Sequence, residues 1–497
     1  MSRPTVWVLG DQLRRDLGPL AAASPATHRV LVVESDAKLD SMRWHVQRGH
    51  LVVAAMRRFV GELRAEGFEV DHRRAPSLAE GHSAHLREFA PSAVHAMEPA
   101  SIDGLALLRR LGVEVHRSTQ FLCHQDEFTA WAADRRQLRM EDFYRWQRRR
   151  LDVLMDGDQP AEGRWNFDEE NRKPPPKDGL NHWPAPVVSP LDDLDRDVLA
   201  DLRGRTWGAD PDGTWATDRA GALARLDHFV TRVLPLFGPH EDAMTSASWH
   251  VAHSLLSPYL NLGLLDPMEV VRAAERAYRN GHAPIAGVEG FVRQVIGWRE
   301  YVWGVYWWRG AAYRHENALD ARRPLPPVLT GAPTRMRCVA HTVQSLHDRG
   351  WVHHIERLMI LGNLALLAGV DPWAMTRWMW AGFVDGAEWV MLPNVIGMAL
   401  HADGGLMATK PYAAGGAYID RMSDHCRGCS FDRTKRTGPD ACPFTTLYWD
   451  FLDRHTERFG RNPRIVQQVR AAGKLADMDG VRVRAREVLD LLDAGEL

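Results

Sequence analysis

The sequence predicts an α/β N-terminal domain built on a parallel sheet, followed by an all-helical C-terminal domain. Three observations predict it. Short β-rich runs alternate with helix-period segments from Val6 to about Arg117, as expected of strands joined by crossover helices. A polar, proline-interrupted stretch follows, and from Pro235 onward the apolar periodicity is helical almost throughout, with caps and breakers at short intervals. The chain is therefore divided into an α/β domain over 1–126, a connector over 127–234 and a helical domain over 235–497.

Within the first domain the strands are expected at 6–9, 30–34, 69–72, 93–97 and 113–116, with a helical pattern over 39–66. Ligands of such sheets sit beyond the carboxyl ends of the strands. Here those ends are Gly10-Asp11-Gln12 and Glu34-Ser35-Asp36, although ordinary loops read the same way. In the connector, Asn171-Arg-Lys-Pro-Pro-Pro-Lys-Asp-Gly and Trp183-Pro-Ala-Pro cannot be regular helix or central strand. The basic run Arg148-Arg149-Arg150 is either a solvated face or a phosphate contact.

A chain of 497 residues, 45% hydrophobic and 25% charged, can bury two or three substantial cores. Its net charge of −2 excludes a surface uniformly coated in positive potential. No run of 18 apolar residues appears, so no membrane span is expected. The N-terminus enters a strand-like run without the pattern of a signal peptide, and the expected compartment is the reducing cytoplasm.

The densest chemistry lies late in the chain. Of five cysteines, Cys426, Cys429 and Cys442 fall within 17 residues and Cys338 precedes them, while Cys123 stands alone. A reducing compartment argues against disulfides. Four thiolates so spaced suit tetrahedral zinc or a cubane iron-sulfur cluster, and spacing leaves both open. Ser254-Leu-Leu-Ser257-Pro258 reads as a helix start, where free backbone amides either are simply capped or receive a pyrophosphate. Phe291, Val295 and Trp298 share one helical face, with Gln294 and Arg299 on the same helix. His353-His354 is either a packed pair or a source of a general acid.

Taken together, the stretches 254–263, 291–301, 351–358 and 388–394, with the four cysteines, resemble the photolyase/cryptochrome superfamily, specifically its iron-sulfur bacterial branch of bacterial cryptochromes and prokaryotic (6-4) photolyases. The resemblance covers essentially the whole chain. It implies an antenna-binding α/β domain and a helical domain holding FAD, with His253, Ser254, Leu256 and Ser257 around the phosphates and Gln294 and Arg299 lining the same cavity. It implies that Arg357 pairs with an acid near the flavin, for which Glu388 stands in place, and that Asn394 faces flavin N5. His354 falls on the proton donor of (6-4) enzymes, with His353 beside it; Leu358 replaces the second histidine of the eukaryotic enzymes. Cys338, Cys426, Cys429 and Cys442 would hold a [4Fe-4S] cluster. Asp11, Gln12 and Glu34 would hold a 6,7-dimethyl-8-ribityllumazine antenna. Trp298, Tyr412 and Tyr418 would meet the substrate, and Trp378 would carry electrons.

The implied activity is light-driven repair of pyrimidine (6-4) photoproducts in ultraviolet-damaged DNA, by a lyase that acts as a monomer without an obligate protein partner. The alternative it leaves is a cryptochrome-type blue-light photoreceptor that signals rather than repairs.

Overall fold

The computed structural model describes residues 2–497. Five strands form one sheet, β1 (Thr5–Val8), β2 (Arg29–Ser35), β3 (Glu69–Ala75), β4 (Val94–Met97) and β5 (Glu114–His116), in the order β3-β2-β1-β4-β5 and all parallel. Each expected strand is present; four shift by one residue at their ends, and β3 runs three residues further than expected, to Ala75. Every residue of β2 is buried, because helices cover both faces of a parallel sheet. Val46–Ala65 crosses from β2 to β3, Leu78–Phe89 from β3 to β4 and Ile102–Arg110 from β4 to β5. Ser77 and Ser101 cap the latter two, accepting from Glu80 and Gly104 amides, so one free backbone donor at each helix start is satisfied.

The strand order reverses between β1 and β4, and Gln12 spans that point. Its Nε2 donates to the carbonyls of Met97 and Glu98 at 3.4 and 3.0 Å. The N-terminal domain then docks on the helical half. Leu13 N donates to Leu262 O at 2.9 Å, and Gln47 Nε2 lies 3.1 Å from the carbonyls of Ala209, Asp210 and Asp348. Between the domains, the stretch from 152 to 192 runs largely without regular structure, whereas helices Gln125–Ala133 and Met140–Leu151 before it pack into the helical core. Gly304 shows how closely: a Cβ there would lie 2.0 Å from the Phe128 ring.

The Arg148–Arg150 run is not one continuous basic patch, although Arg149 is exposed and lies 4.5 Å from the Trp165 ring. Arg148 is buried and donates to the carbonyls of Val153 and Trp165 at 3.2 and 3.1 Å, and Arg150 is held by Gln147 and Glu127. Among the described residues, no helix is long and apolar enough to cross a membrane.

Three π-helical segments stand out in the helical half: Arg293–Arg299, Arg357–Gly362 and Leu392–Ala399. The wider turn is uncommon and concentrates at functional sites because it re-aims side chains without ending the helix. These three carry Gln294, Trp298, Arg299, Arg357 and Asn394.

Candidate functional site

Arg357 makes a two-pronged ion pair with Asp385, its Nη1 and Nη2 donating at 2.9 and 3.2 Å. The guanidinium is fixed from both sides: Nε donates to Val352 O at 2.7 Å, and the ring of Phe383 lies 4.0 Å away. Ser257 Oγ donates to Asp385 Oδ2 at 2.7 Å, and Asn261 Nδ2 donates to the Asp385 carbonyl at 2.9 Å. The Asp385-Gly386 turn needs its glycine, since a Cβ on Gly386 would fall 2.4 Å from the Trp380 carbonyl oxygen. Arg48 reaches this site from the sheet domain. Its Nη1 donates to the Phe383 carbonyl at 3.3 Å; burial pulls its pKa down to about 10, while Asp385 and Asp11 oppose that pull.

A second group surrounds His354. His354 Nδ1 lies 3.1 Å from His253 Nε2, and His354 Nε2 lies 3.3 Å from Asp242 Oδ1. His253 stacks on His353 with centroids 4.8 Å apart and directs its Nδ1 at the His250 carbonyl, 3.0 Å away. Burial, reinforced by the charge of His354, pushes the His253 pKa down to about 3. For His354, burial lowers the pKa, but the hydrogen bond and charge of Asp242, with Glu241 behind, outweigh it and the net shift is upward. The His354 side chain keeps 45% of its exposure, so part of its ring is open to solvent. Burial pushes Glu241 up to about 7, and Gln294 Nε2 donates to Glu241 Oε1 at 3.0 Å. The loop carrying His253 is held in an unusual backbone, with Val251 at φ 46° and Leu255 at φ 58°, conformations that bulky residues adopt only under constraint.

The third feature is a cavity lined by Cys338, Cys426, Cys429 and Cys442, together with Phe431 and Phe444. None is in a disulfide. Burial and then the neighbouring Cys442, Cys426 and Cys429 raise the Cys338 pKa; Cys426 is pushed up to about 12 by burial, Cys442, Asp420 and Cys429. Thiols so placed resist ionising together unless a cation compensates them.

The chain is 39% identical over 505 residues to the (6-4) photolyase of Agrobacterium fabrum, spanning 98% of this chain and 99% of that protein. It belongs to the prokaryotic (6-4) photolyase branch of the photolyase/cryptochrome family. Residues 6–210 match the family model described as deoxyribodipyrimidine photo-lyase-related protein. In fold, the chain is similar to a bacterial class III photolyase from Agrobacterium tumefaciens (TM-score 0.58, 17% identity, 99% of this chain and 98% of that one). It is also similar to a Synechocystis cryptochrome (TM-score 0.56, 12% identity, 94% and 90%).

Against this photolyase frame, two expectations are corrected: the partner of Arg357, and the shared lining by Gln294 and Arg299, which instead turn to Glu241 and to Glu300. Glu388 is not the partner of Arg357. Its carboxylate is taken by Arg314 and by Tyr306 Oη, which donates at 3.1 Å, and Arg314 also donates to Asp103 at 2.8 Å. Glu388 begins the helix Glu388–Met391 and faces the N-terminal domain, whereas Asp385, three residues earlier in the turn, reaches Arg357. Sequence reading also passed over Asp242 and Glu241, which carry no motif; only their adjacency as an acidic pair ahead of the His253 segment hinted at them.

The remaining residues are distributed as follows. Ser257 joins the Arg357 site, Leu256 is buried, and the Ser254 hydroxyl accepts from the Leu256 amide at 3.4 Å. Asn394 turns back to donate to the Val390 carbonyl at 2.9 Å. Arg299 points away from Gln294: it pairs with Glu300 and lies 4.3 Å from the Phe121 ring, and its Nε and Nη2 are buried without partners. Tyr412 and Tyr418 both feel the charges of Asp242 and Arg172, and burial followed by Asp242 pushes Tyr418 up to about 12. Trp298 sits edge-on to Tyr301 at 6.3 Å, and Trp378 edge-on to Phe383 at 6.5 Å. In the sheet domain, Glu34 is enclosed by Arg57 and His72, which hold its pKa down at about 2 against burial. Asp11 is raised by burial, with the Ala100 amide beside it.

Proposed function

We propose that this photolyase repairs pyrimidine (6-4) photoproducts in DNA, with His354 as the proton donor. The single observation that supports this most is the anchoring of His354 between His253 and Asp242 at 3.1 and 3.3 Å, together with a ring partly open to solvent. His253 Nδ1 faces a carbonyl, so its proton sits there and Nε2 accepts. His354 Nδ1–H then donates to His253, and Asp242 stabilises a second proton on Nε2. The result is an imidazolium that can pass its Nε2 proton to the lesion once the 3.3 Å contact with Asp242 opens, which suits general-acid work.

FAD belongs to the family, and the residues fit it: Arg357, Asp385 and Ser257 form a rigid polar corner beside the strained His253–Leu255 loop. When bound and reduced, it supplies the light-driven electron that the lesion must accept. The chain itself orients that chemistry through Arg357 and Asp385, presents the proton from His354, and borders the lesion with Tyr412 and Tyr418. Arg172, exposed and acting on Tyr412 through its charge, suits a backbone phosphate. A lesion leaves the duplex at a cost of a few kcal/mol, least when it is already poorly stacked.

Cys338, Cys426, Cys429 and Cys442 fit a [4Fe-4S] cluster, which would tie their segments together and supply a one-electron centre. For the lumazine antenna the fit is poor as the side chains stand, because Gln12 and Glu34 are already committed to Glu98 and to Arg57 with His72. The test of function is blue-light reversal of a defined (6-4) lesion in an oligonucleotide. Reversal supports repair; binding without reversal leaves the photoreceptor reading in its place.

A further inference from the structure

Behind His353 lies a second polar cluster that the repair chemistry does not use. It joins His341 on the helix Arg337–Arg349, Glu356 beside the His354 turn, and His425 next to Cys426. One ligand atom from each lies within 4.8 Å of the others. His425 and Glu356 are 1% and 2% exposed. Their polar atoms are orphaned: His341 Nδ1, Glu356 Oε2 and both ring nitrogens of His425 have no hydrogen-bond partner. Native interiors rarely leave several such atoms converging on one point with nothing between them.

The surroundings are those of a ligand set held from outside. Asp424 Oδ1 lies 3.4 Å from His425 Nδ1. Asp424 is itself fixed by the Ser246 amide at 3.0 Å, the Ser246 hydroxyl at 2.7 Å and the Thr245 hydroxyl at 3.1 Å. That contact is not yet a hydrogen bond, but a small ring rotation would make it one, and a carboxylate behind one nitrogen orients an imidazole and leaves the other, here Nε2, to ligate. On the opposite side His353 Nε2 backs Glu356 Oε2 at 3.5 Å. His341 Nδ1 faces Glu356 Oε1 at 3.9 Å.

We propose that His341, Glu356 and His425 bind one divalent transition-metal ion of the zinc class, at a site distinct from the four-cysteine cavity. Two neutral imidazoles and a carboxylate favour zinc, cobalt or nickel over calcium or magnesium, which prefer all-oxygen sets. Ligands at about 2.0–2.2 Å from a tetrahedral ion stand about 3.3–3.6 Å apart, so closing the present spacing asks each side chain to move by less than about 1 Å. The ion ties the helix bearing Cys338, the turn bearing His354 and the loop bearing Cys426 into one unit. His425 lines the cysteine cavity as well, so the two sites share a wall but no ligand.

The experiment uses the full chain with its cofactors, loaded with zinc chloride and desalted, with zinc, iron and flavin measured per chain. About one zinc is expected, with X-ray absorption showing nitrogen and oxygen neighbours at about 2.0–2.1 Å and no sulfur at about 2.3 Å. Glu356→Gln, which keeps the side-chain shape, and His341→Asn should each weaken zinc retention at least tenfold with iron and flavin unchanged. Zinc should raise the melting temperature of the parent chain and not that of Glu356→Gln. The proposal is overturned if the loaded chain holds no zinc, if the zinc has sulfur neighbours, or if Glu356→Gln retains zinc as the parent does.

Discussion

His253 Nε2 lies 3.1 Å from His354 Nδ1, and that contact sets the form in which His354 faces solvent. With His253 locked as an acceptor, His354 donates on one side and meets Asp242 on the other. His354→Ala is therefore expected to lower the repair yield by about 10²-fold or more while flavin content is unchanged. Lesion repair against flavin absorbance per chain checks it.

Asp242→Asn tests the electrostatics separately. The pKa of His354 is raised from 6.5 chiefly by Asp242 acting against burial. A group raised in the fold favours the folded state below its unfolded pKa and loses that contribution as pH rises through the folded value. Removing the Asp242 charge lowers the His354 pKa, so the alkaline limb of the repair profile should move to lower pH. An unmoved limb in Asp242→Asn would show that His354 does not set it.

Asp385 and Glu388 should behave as different kinds of acid. Asp385→Asn leaves the largely enclosed Arg357 charge uncompensated, expected to cost about 2–3 kcal/mol, below the roughly 3–5 kcal/mol of a fully buried pair, and flavin retention should fall with stability. Glu388→Gln instead loosens Tyr306 and Arg314 at the contact with Asp103, expected to cost about 1–3 kcal/mol with flavin retained. Urea denaturation and flavin stoichiometry of the two variants separate the roles.

Much of this was legible in the sequence. The parallel sheet followed from alternation alone, and the cysteine cavity followed from spacing plus a reducing compartment. The Arg357 partner was not, because the family resemblance put Glu388 in that place, whereas the Phe383-Val-Asp385-Gly386 turn folds Asp385 back to Arg357. Asp242 was equally hidden: its link to His354 spans 112 positions along the chain, and no local pattern encodes so distant a contact.

The cysteine set predicts a coupled loss. If these cysteines hold the proposed cluster, serine at any one of Cys338, Cys426, Cys429 or Cys442 removes a thiolate ligand and weakens retention of the cluster. Iron and sulfide should fall together with visible absorbance. Cys123→Ser serves as the control, since burial and Glu300 push that thiol pKa upward and it lies in the aromatic core, so iron should stay unchanged.

Trp378 gives the last prediction. Its ring meets Phe383 at 6.5 Å, and Phe383 lies under the Arg357 guanidinium at 4.0 Å, so a line of contacts runs from a half-buried tryptophan to the Arg357–Asp385 corner. A rival line exists: Trp389 packs on Trp303 at 5.6 Å and Trp303 on Trp307 at 5.4 Å, but its nearest cation is Arg299, not Arg357. If the first line carries electrons, Trp378→Phe should slow light-driven reduction of the flavin several-fold, and Trp307→Phe should leave it unchanged. Repair by chemically pre-reduced enzyme should be the same in both, because the resupply route is bypassed. Slowing in Trp307→Phe with no effect in Trp378→Phe would reverse the assignment.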